Sequence, residues 1–155
     1  MSPSPAFAIH RLTTADLDLM HALLSTFGEA FDEVRTYGAA RPRPAYFQRL
    51  LGNESFIALV AWADGLVVGG LAAYELQKFE QERSEIYIYD LAVAAAYRRR
   101  GIATALIREL GHIAAARGAY VIFVQADLGD APAIALYSKL GVREDVLHFD
   151  IPVER

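Results

Sequence analysis

From Tyr97 to Thr104 the chain reads Tyr97-Arg98-Arg99-Arg100-Gly101-Ile102-Ala103-Thr104, three guanidinium groups followed by a glycine and then a small side chain. Ahead of it, Glu85-Ile86-Tyr87-Ile88-Tyr89-Asp90-Leu91-Ala92-Val93 has the β-branched and aromatic content of a central strand. Behind it, Ile102, Leu106, Leu110 and Ile113 share one stripe of a helix that Arg117-Gly118 closes. The basic stretch is therefore predicted at a strand–loop–helix junction. A helix start carries N–H groups without intrahelical partners and about half a positive charge, so an anion placed there meets donors and a favourable dipole. Gly101 lets that backbone come close, Ala103 adds little bulk, and Arg98, Arg99 and Arg100 can offer charge-assisted hydrogen bonds. A pyrophosphate suits this chemistry. A basic surface loop before an amphipathic helix accounts for the same residues equally well. The spacing is neither the dinucleotide glycine fingerprint nor the nucleotide-triphosphate loop ending in Gly-Lys-Ser/Thr, so NAD and ATP lose support.

The elements that must position this loop follow from apolar periodicity. Ala8–Leu12 alternates weakly like a strand, and Thr13 or Thr14 is expected to cap a helix marked by Leu17, Met20, Leu24 and Phe27. A Pro- and Arg-rich loop, 38–44, precedes a short helical pattern through Tyr46, Phe47, Leu50 and Leu51 that stops at Gly52. Phe56–Trp62 reads as a strand, Asp64-Gly65 as a tight turn and Leu66–Leu76 as the returning strand. A polar connection, 77–84, leads into the strand that ends at Val93. After the helix beyond Gly101, Tyr120–Val124 is a buried strand. Asp130 can then cap a last helix, Ala131–Leu140, with Pro132 in its first turn and Gly141 at its end. Val142–Ile151 is predicted as a final strand. The sum is an α+β sheet layered with helices, one domain over residues 1–155, without internal repeat.

Composition narrows the function. At 155 residues and 54% hydrophobic, the chain can bury one substantial core. No apolar run reaches 18 residues, and Met1-Ser2-Pro3-Ser4-Pro5 lacks the basic start and apolar stretch of a secretory signal, so a cytoplasmic protein with no membrane partner is expected. The net charge of −4 argues against nucleic acid as a partner and is compatible with a cationic small substrate. There is no cysteine to form a disulfide or serve as a nucleophile. His10, His21, His112 and His148 show no metal-ligand spacing, and no metal is expected.

Three segments taken together, Asp90-Leu91-Ala92-Val93, Arg98 to Ala103, and Ala133-Ile134-Ala135-Leu136-Tyr137-Ser138-Lys139-Leu140-Gly141, resemble the acetyl-CoA signature of GNAT acetyltransferases. That pattern asks for Arg or Gln, two residues, Gly, one residue, then Gly or Ala, and Arg98, Gly101 and Ala103 meet it. Further pieces, Phe56 to Leu59, Lys78 to Gln81, Ser84 to Val93, Gly118 to Val121 and His148 to Ile151, resemble the class I aminoglycoside 3-N-acetyltransferases of the gentamicin-resistance type. The resemblance implies a mixed, mostly antiparallel sheet, splayed at the acetyl-CoA site, with helices on both faces. It also implies a homodimer.

By the same resemblance the amine attacks the thioester directly in a ternary complex, and acetyl-CoA is the co-substrate. Leu91, Ala92 and Val93 are implied to meet the pantetheine and acetyl group, and Arg98 to Thr104, Ile102 included, the phosphates. Asp130 and Ala133 stand where relatives contact the pantetheine, but many carry Asn at the position of Asp130. A carboxylate cannot donate as an amide does, so a helix cap is the competing role. Tyr137 is implied to give a proton to the departing thiolate; a half-buried helix tyrosine is the alternative. Asp90 is the leading general base, with cation anchoring or capping a neighbouring loop as the alternatives. Glu80, Glu85, Tyr89, Asp127 and Asp150 are further acceptor-side candidates, although each acid alone is more often a solvated charge.

The predicted activity is acetyl transfer to an amine, foremost the 3-amino group of an aminoglycoside such as gentamicin. Another amine, such as a polyamine, an amino acid or a protein N-terminus, would use the same cofactor signature. A non-catalytic CoA-binding sensor is a third reading, against which the joint presence of Asp90 and Tyr137 counts.

Overall fold

Phe56–Ala63 is buried along nearly its whole length because it runs through the middle of a sheet covered on both faces. The computed structural model describes residues 6–155 and divides into two compact units, Met1–Gln125 and Ala126–Arg155. The stretch Met1 to Pro5, on which the expectation of no secretory signal rests, lies outside the described residues.

The first unit holds β1 (Ala8–Arg11), α1 (Leu17–Ala30), α2 (Val34–Gly38), α3 (Pro44–Gly52), β2 (Phe56–Ala63), β3 (Leu66–Gln77), β4 (Ser84–Val93), α4 (Ile102–Arg117) and β5 (Ala119–Val124). The strands lie in the order β1-β2-β3-β4-β5, antiparallel except for the parallel pair β4 and β5. Alternation along the strands makes two cores. Ile57, Leu59 and Ala61 face Ile102, Leu106, Leu110 and Ala114 of α4, whereas Ala58 and Val60 face Leu23 and Phe27 of α1 and Phe47 of α3. The β2–β3 turn works as its sequence requires, with Asp64 at φ 52° and Gly65 at φ 75°, both left-handed.

One irregularity in β4 sets the direction of every side chain after Ile88. Ala73 pairs with Ile88 but Ala72 pairs with Asp90, so Tyr89 is an extra residue, a β-bulge. Before it, Ile86 and Ile88 enter the core against α4. After it, Leu91 and Val93 pack on that side and Ala92 turns to the α1 side. Asp90, two residues before Ala92, shares the face of α1.

Four expectations need correction, the first being the buried strand Tyr120–Val124, which forms as a strand but exposes Tyr120 and Val121. Helix α1 starts at Leu17 without a Thr13 or Thr14 cap. The Asp16 carboxylate instead accepts from the Thr13 N–H at 2.7 Å and lies 3.1 Å from His10 Nε2, closing a turn just ahead of the helix. A third helix, α2, precedes the main sheet; at five residues it is too short to show a period. The predicted final strand, Val142–Ile151, is absent among the described residues. In the second unit α5 (Ala131–Leu140) is followed by non-regular chain, in which Val146, Leu147, Phe149 and Ile151 are exposed. Alternating apolar residues favour a strand only where a neighbour supplies hydrogen bonds.

Candidate functional site

Helix α4 begins at Gly101 with φ 79° and no side-chain cap, and its first internal bond runs from the Ala105 N–H to the Gly101 carbonyl. The N–H groups of Ile102, Ala103 and Thr104 are thus left for an external acceptor. A Cβ at Gly101 would meet nothing within 4 Å, so the approach to these donors is open. Arg98, Arg99 and Arg100 are all exposed. Arg98 Nε donates to the Val93 carbonyl at 3.2 Å, and the Arg100 guanidinium sits 4.9 Å above the Tyr97 ring, which fastens both ends of the loop. Arg99 makes the turn itself, at φ 63°. The Ile102 side chain is core, so its contribution to a ligand is confined to its backbone.

Next to this loop, β4 loses one neighbour. Pairing with β5 ends at Ile88 and Val124, while pairing with β3 continues to Val93. One edge of the backbone from Tyr89 to Val93 is therefore unpaired in the sheet, which is where an extended ligand can take the place of a strand. Ala92 is buried and offers only its backbone; Leu91 and Val93 are half-buried on the α4 side. The uncapped helix start and this free edge fit a long ligand with an anionic end and an amide-bearing arm.

Asp90 is half-buried on the opposite face. The Tyr37 hydroxyl of α2 donates to Asp90 Oδ2 at 2.9 Å. Burial pushes the Asp90 carboxyl above the ordinary value, with the charge of Glu33 adding to the effect and the Tyr37 hydrogen bond opposing it. Among the described residues no cation forms a salt bridge with Asp90 or Glu33. Tyr74, Tyr87 and Tyr89 form a cluster of rings, with Tyr74 and Tyr87 6.1 and 6.0 Å from Tyr89 and Tyr89 itself 62% exposed; burial raises the Tyr74 and Tyr87 phenols and the Asp90 charge adds to this. Electron-rich ring faces beside an unpaired carboxylate favour an organic cation.

The other acidic candidates fare differently. Glu85 already pairs with Lys78 at 3.4 Å and accepts from the Tyr120 hydroxyl at 3.2 Å, and Glu80 lies 3.4 Å from the same lysine. In the second unit, Asp130 Oδ1 accepts from the Ala133 N–H at 3.2 Å, so this carboxylate caps α5. Tyr137 is half-buried on α5; burial raises its phenol above the ordinary value and the Asp130 charge adds to this. Asp127 is exposed, and the exposed Asp150 lies 2.9 Å from His148.

Sequence reasoning missed Glu33, Tyr37, Tyr74 and Tyr87. The pairing of Tyr74 with Tyr87 is a consequence of the polar connection between β3 and β4, and counting back from that connection could have found it. Nothing local marks Tyr37, which is 53 residues from Asp90.

The profile of the Acetyltransferase (GNAT) family matches residues 19–142. The chain belongs to this family. GNAT acetyltransferases use acetyl-CoA, whose pyrophosphate and pantetheine arm have the character that the α4 start and the β4 edge accept. An aminoglycoside acetyltransferase from an uncultured soil metagenomic sample is 67% identical, with a TM-score of 0.94 over 96% of this chain and 99% of that one. A second such enzyme, also from an uncultured soil metagenomic sample and solved in complex with sisomicin, is 30% identical, with a TM-score of 0.88 over 96% of this chain and 97% of that one. Mycothiol acetyltransferase of Corynebacterium glutamicum is 31% identical over 119 residues, 76% of this chain, and that match spans only 39% of its own length. Among the described residues no helix is long and apolar enough to cross a membrane.

The raised Asp90 carboxyl makes a stability prediction. A group whose folded value lies above its unfolded one stabilises the fold at low pH, and that contribution is lost as pH rises through the folded value. Asp90→Asn, neutral at every pH, should melt higher than wild type at neutral pH, with the gain vanishing as pH falls below 3.8, the ordinary aspartate value. Thermal scans across pH check this; a variant that melts lower at neutral pH shows that the charge is not costly where it sits.

Proposed function

We propose that the protein transfers the acetyl group of acetyl-CoA to an aminoglycoside amine, foremost the 3-amino group of a drug such as gentamicin, by direct attack in a ternary complex. The observation that carries this reading is the Asp90 carboxylate: half-buried, without a cationic partner among the described residues, held by the Tyr37 hydroxyl, and on the strand whose free edge leads to the uncapped start of α4. A polycationic acceptor supplies the missing counter-charge. The 67% identity to an aminoglycoside acetyltransferase supports the same class.

The thioester supplies an activated acyl group; the chain's residues do the rest. Backbone N–H groups at Ile102 to Thr104 and the three arginines hold the phosphates. The unpaired edge of Tyr89 to Val93 orients the arm, so that attack becomes effectively intramolecular. Asp90 pairs with the ammonium of the acceptor and takes one proton, which frees the nitrogen lone pair to bond to the acetyl carbon. The carbon–sulfur bond breaks, Tyr137, kept protonated by its raised phenol, gives a proton to sulfur, and the second proton leaving nitrogen restores the phenol. Tyr89, on the bulge, is assigned to the acceptor, with Asp127 and Asp150 as candidates from the second unit; the engagement of Glu80 and Glu85 with Lys78 gives them a structural share. A homodimer belongs to this reading, supported by the uncovered apolar side chains of Leu147, Phe149 and Ile151. No metal, nucleic acid or membrane has a part in it, and the cytoplasm is the proposed location.

Thiol release measured with gentamicin, spermidine and a short peptide as acceptors tests the substrate class. Gentamicin should give the highest kcat/KM; turnover of spermidine or peptide with none of gentamicin overturns the assignment. Gly101→Val tests the cofactor side. The left-handed φ of 79° strains any β-branched residue and its side chain would enter the phosphate approach, so the KM for acetyl-CoA should rise at least tenfold with the acceptor KM little changed. An unchanged KM for acetyl-CoA returns the arginine loop to an ordinary basic surface.

A further inference from the structure

The α1–α2 corner is built with unusual care for a five-residue helix. Asp32 takes φ 54° to turn the chain, and the Glu33 N–H donates to the Gly28 carbonyl at 2.8 Å. A Cβ at Gly28 would lie 3.3 Å from Tyr37 Cβ and from Val34 Cα, so glycine is what lets α2 lie this close to α1. The Tyr37 ring packs against Phe27 and Phe31, with centroids 6.0 and 5.8 Å away. Behind it, Arg41 Nε donates to the Tyr37 carbonyl at 3.1 Å while Arg41 Nη2 donates to Ser25 Oγ of α1 at 2.7 Å. Backbone and ring are therefore fixed, and one polar atom of the side chain, the hydroxyl, points at Asp90 Oδ2 from 2.9 Å.

A carboxylate has two oxygens. With Oδ2 occupied by a donor on a fixed ring, the rotamer of Asp90 is set and Oδ1 is the oxygen left for an acceptor ammonium. A tyrosine hydroxyl is the fitting donor because it satisfies Oδ2 without bringing a positive charge that would neutralise the carboxylate. Burial raises the Tyr37 phenol, with the Asp90 hydrogen bond adding to this, so it stays a donor. The titratable groups near Asp90 are Tyr37 and Glu33 from the α1–α2 corner, Tyr74 from β3 and Tyr87 from β4. Tyr37 alone among them donates to the carboxylate.

We propose that Tyr37 is a positioning residue of the acetyl-transfer reaction: delivered by the Arg41-braced α1–α2 corner, its hydroxyl clamps Oδ2 of Asp90 and presents Oδ1 to the amine. This rests on the reading of Asp90 as the acceptor-side carboxylate. Tyr37→Phe removes the hydroxyl and keeps the ring, so the packing against Phe27 and Phe31 survives. Losing a hydrogen bond that favours the ionised form should move the acidic limb of the kcat/KM profile for gentamicin upward by about 1 pH unit. The kcat should fall roughly tenfold while the KM for acetyl-CoA stays within about twofold. Asp90→Asn, assayed beside it, separates the two levels. If Asp90→Asn is impaired but Tyr37→Phe keeps a wild-type limb and kcat, the positioning role is overturned and the Asp90 reading stands. If Asp90→Asn turns over gentamicin like wild type, both fall. A purely structural tyrosine would lower the melting temperature without moving the acidic limb, which also overturns the proposal.

Discussion

An antiparallel ladder decides which face each residue takes, and β4 breaks its own rule once. Tyr89 is inserted between two residues of β4 whose partners on β3 are adjacent. Because side chains alternate with a period of two, this single insertion exchanges the faces of everything after it. Without it, Asp90 would follow Ile86 and Ile88 into the apolar core against α4, where an unpaired carboxylate is costly. With it, the carboxylate meets Tyr37, and Leu91 and Val93 take the places in the α4-side core. β5 stops accompanying β4 just before the bulge, with Ile88 and Val124 as the last pair. The carboxylate thus belongs to a residue within the free backbone edge itself.

The two parts of the site use different physics. Around α4, attraction comes from backbone donors and arginines displayed to solvent, and it suits a flexible polyanion that arrives from outside. Around Asp90, among the described residues, no cation pairs with the carboxylate, which is half-buried and accepts from one neutral donor, the Tyr37 hydroxyl. Such an arrangement costs folding stability, which marks Asp90 as a candidate functional group.

Much of this was readable before the structure. The strand pattern of Phe56–Val93, the Asp64-Gly65 turn, the stripe of α4 and the Asp130 cap all depend on neighbours in sequence, and all took the expected form. Three features were not readable, for separate reasons. The bulge hides because Glu85 to Tyr89 alternates cleanly up to the residue that breaks register. Tyr37 hides because its partner is distant in sequence and its helix spans only Val34–Gly38. The segment after Gly141 misleads in the other direction, since Leu147, Phe149 and Ile151 have the spacing of a strand while only a paired neighbour could make them one.

The proposed role of the Asp90 carboxylate, which has no cationic partner among the described residues, is to receive the ammonium of the acceptor. A pH titration of the Asp90 carboxyl carbon by NMR, with and without gentamicin, reports on that group directly. In the free protein its midpoint should lie above 3.8, the ordinary aspartate value, and saturating gentamicin should lower it as an ammonium settles against the ionised form. A midpoint that gentamicin leaves unmoved would contradict the claim.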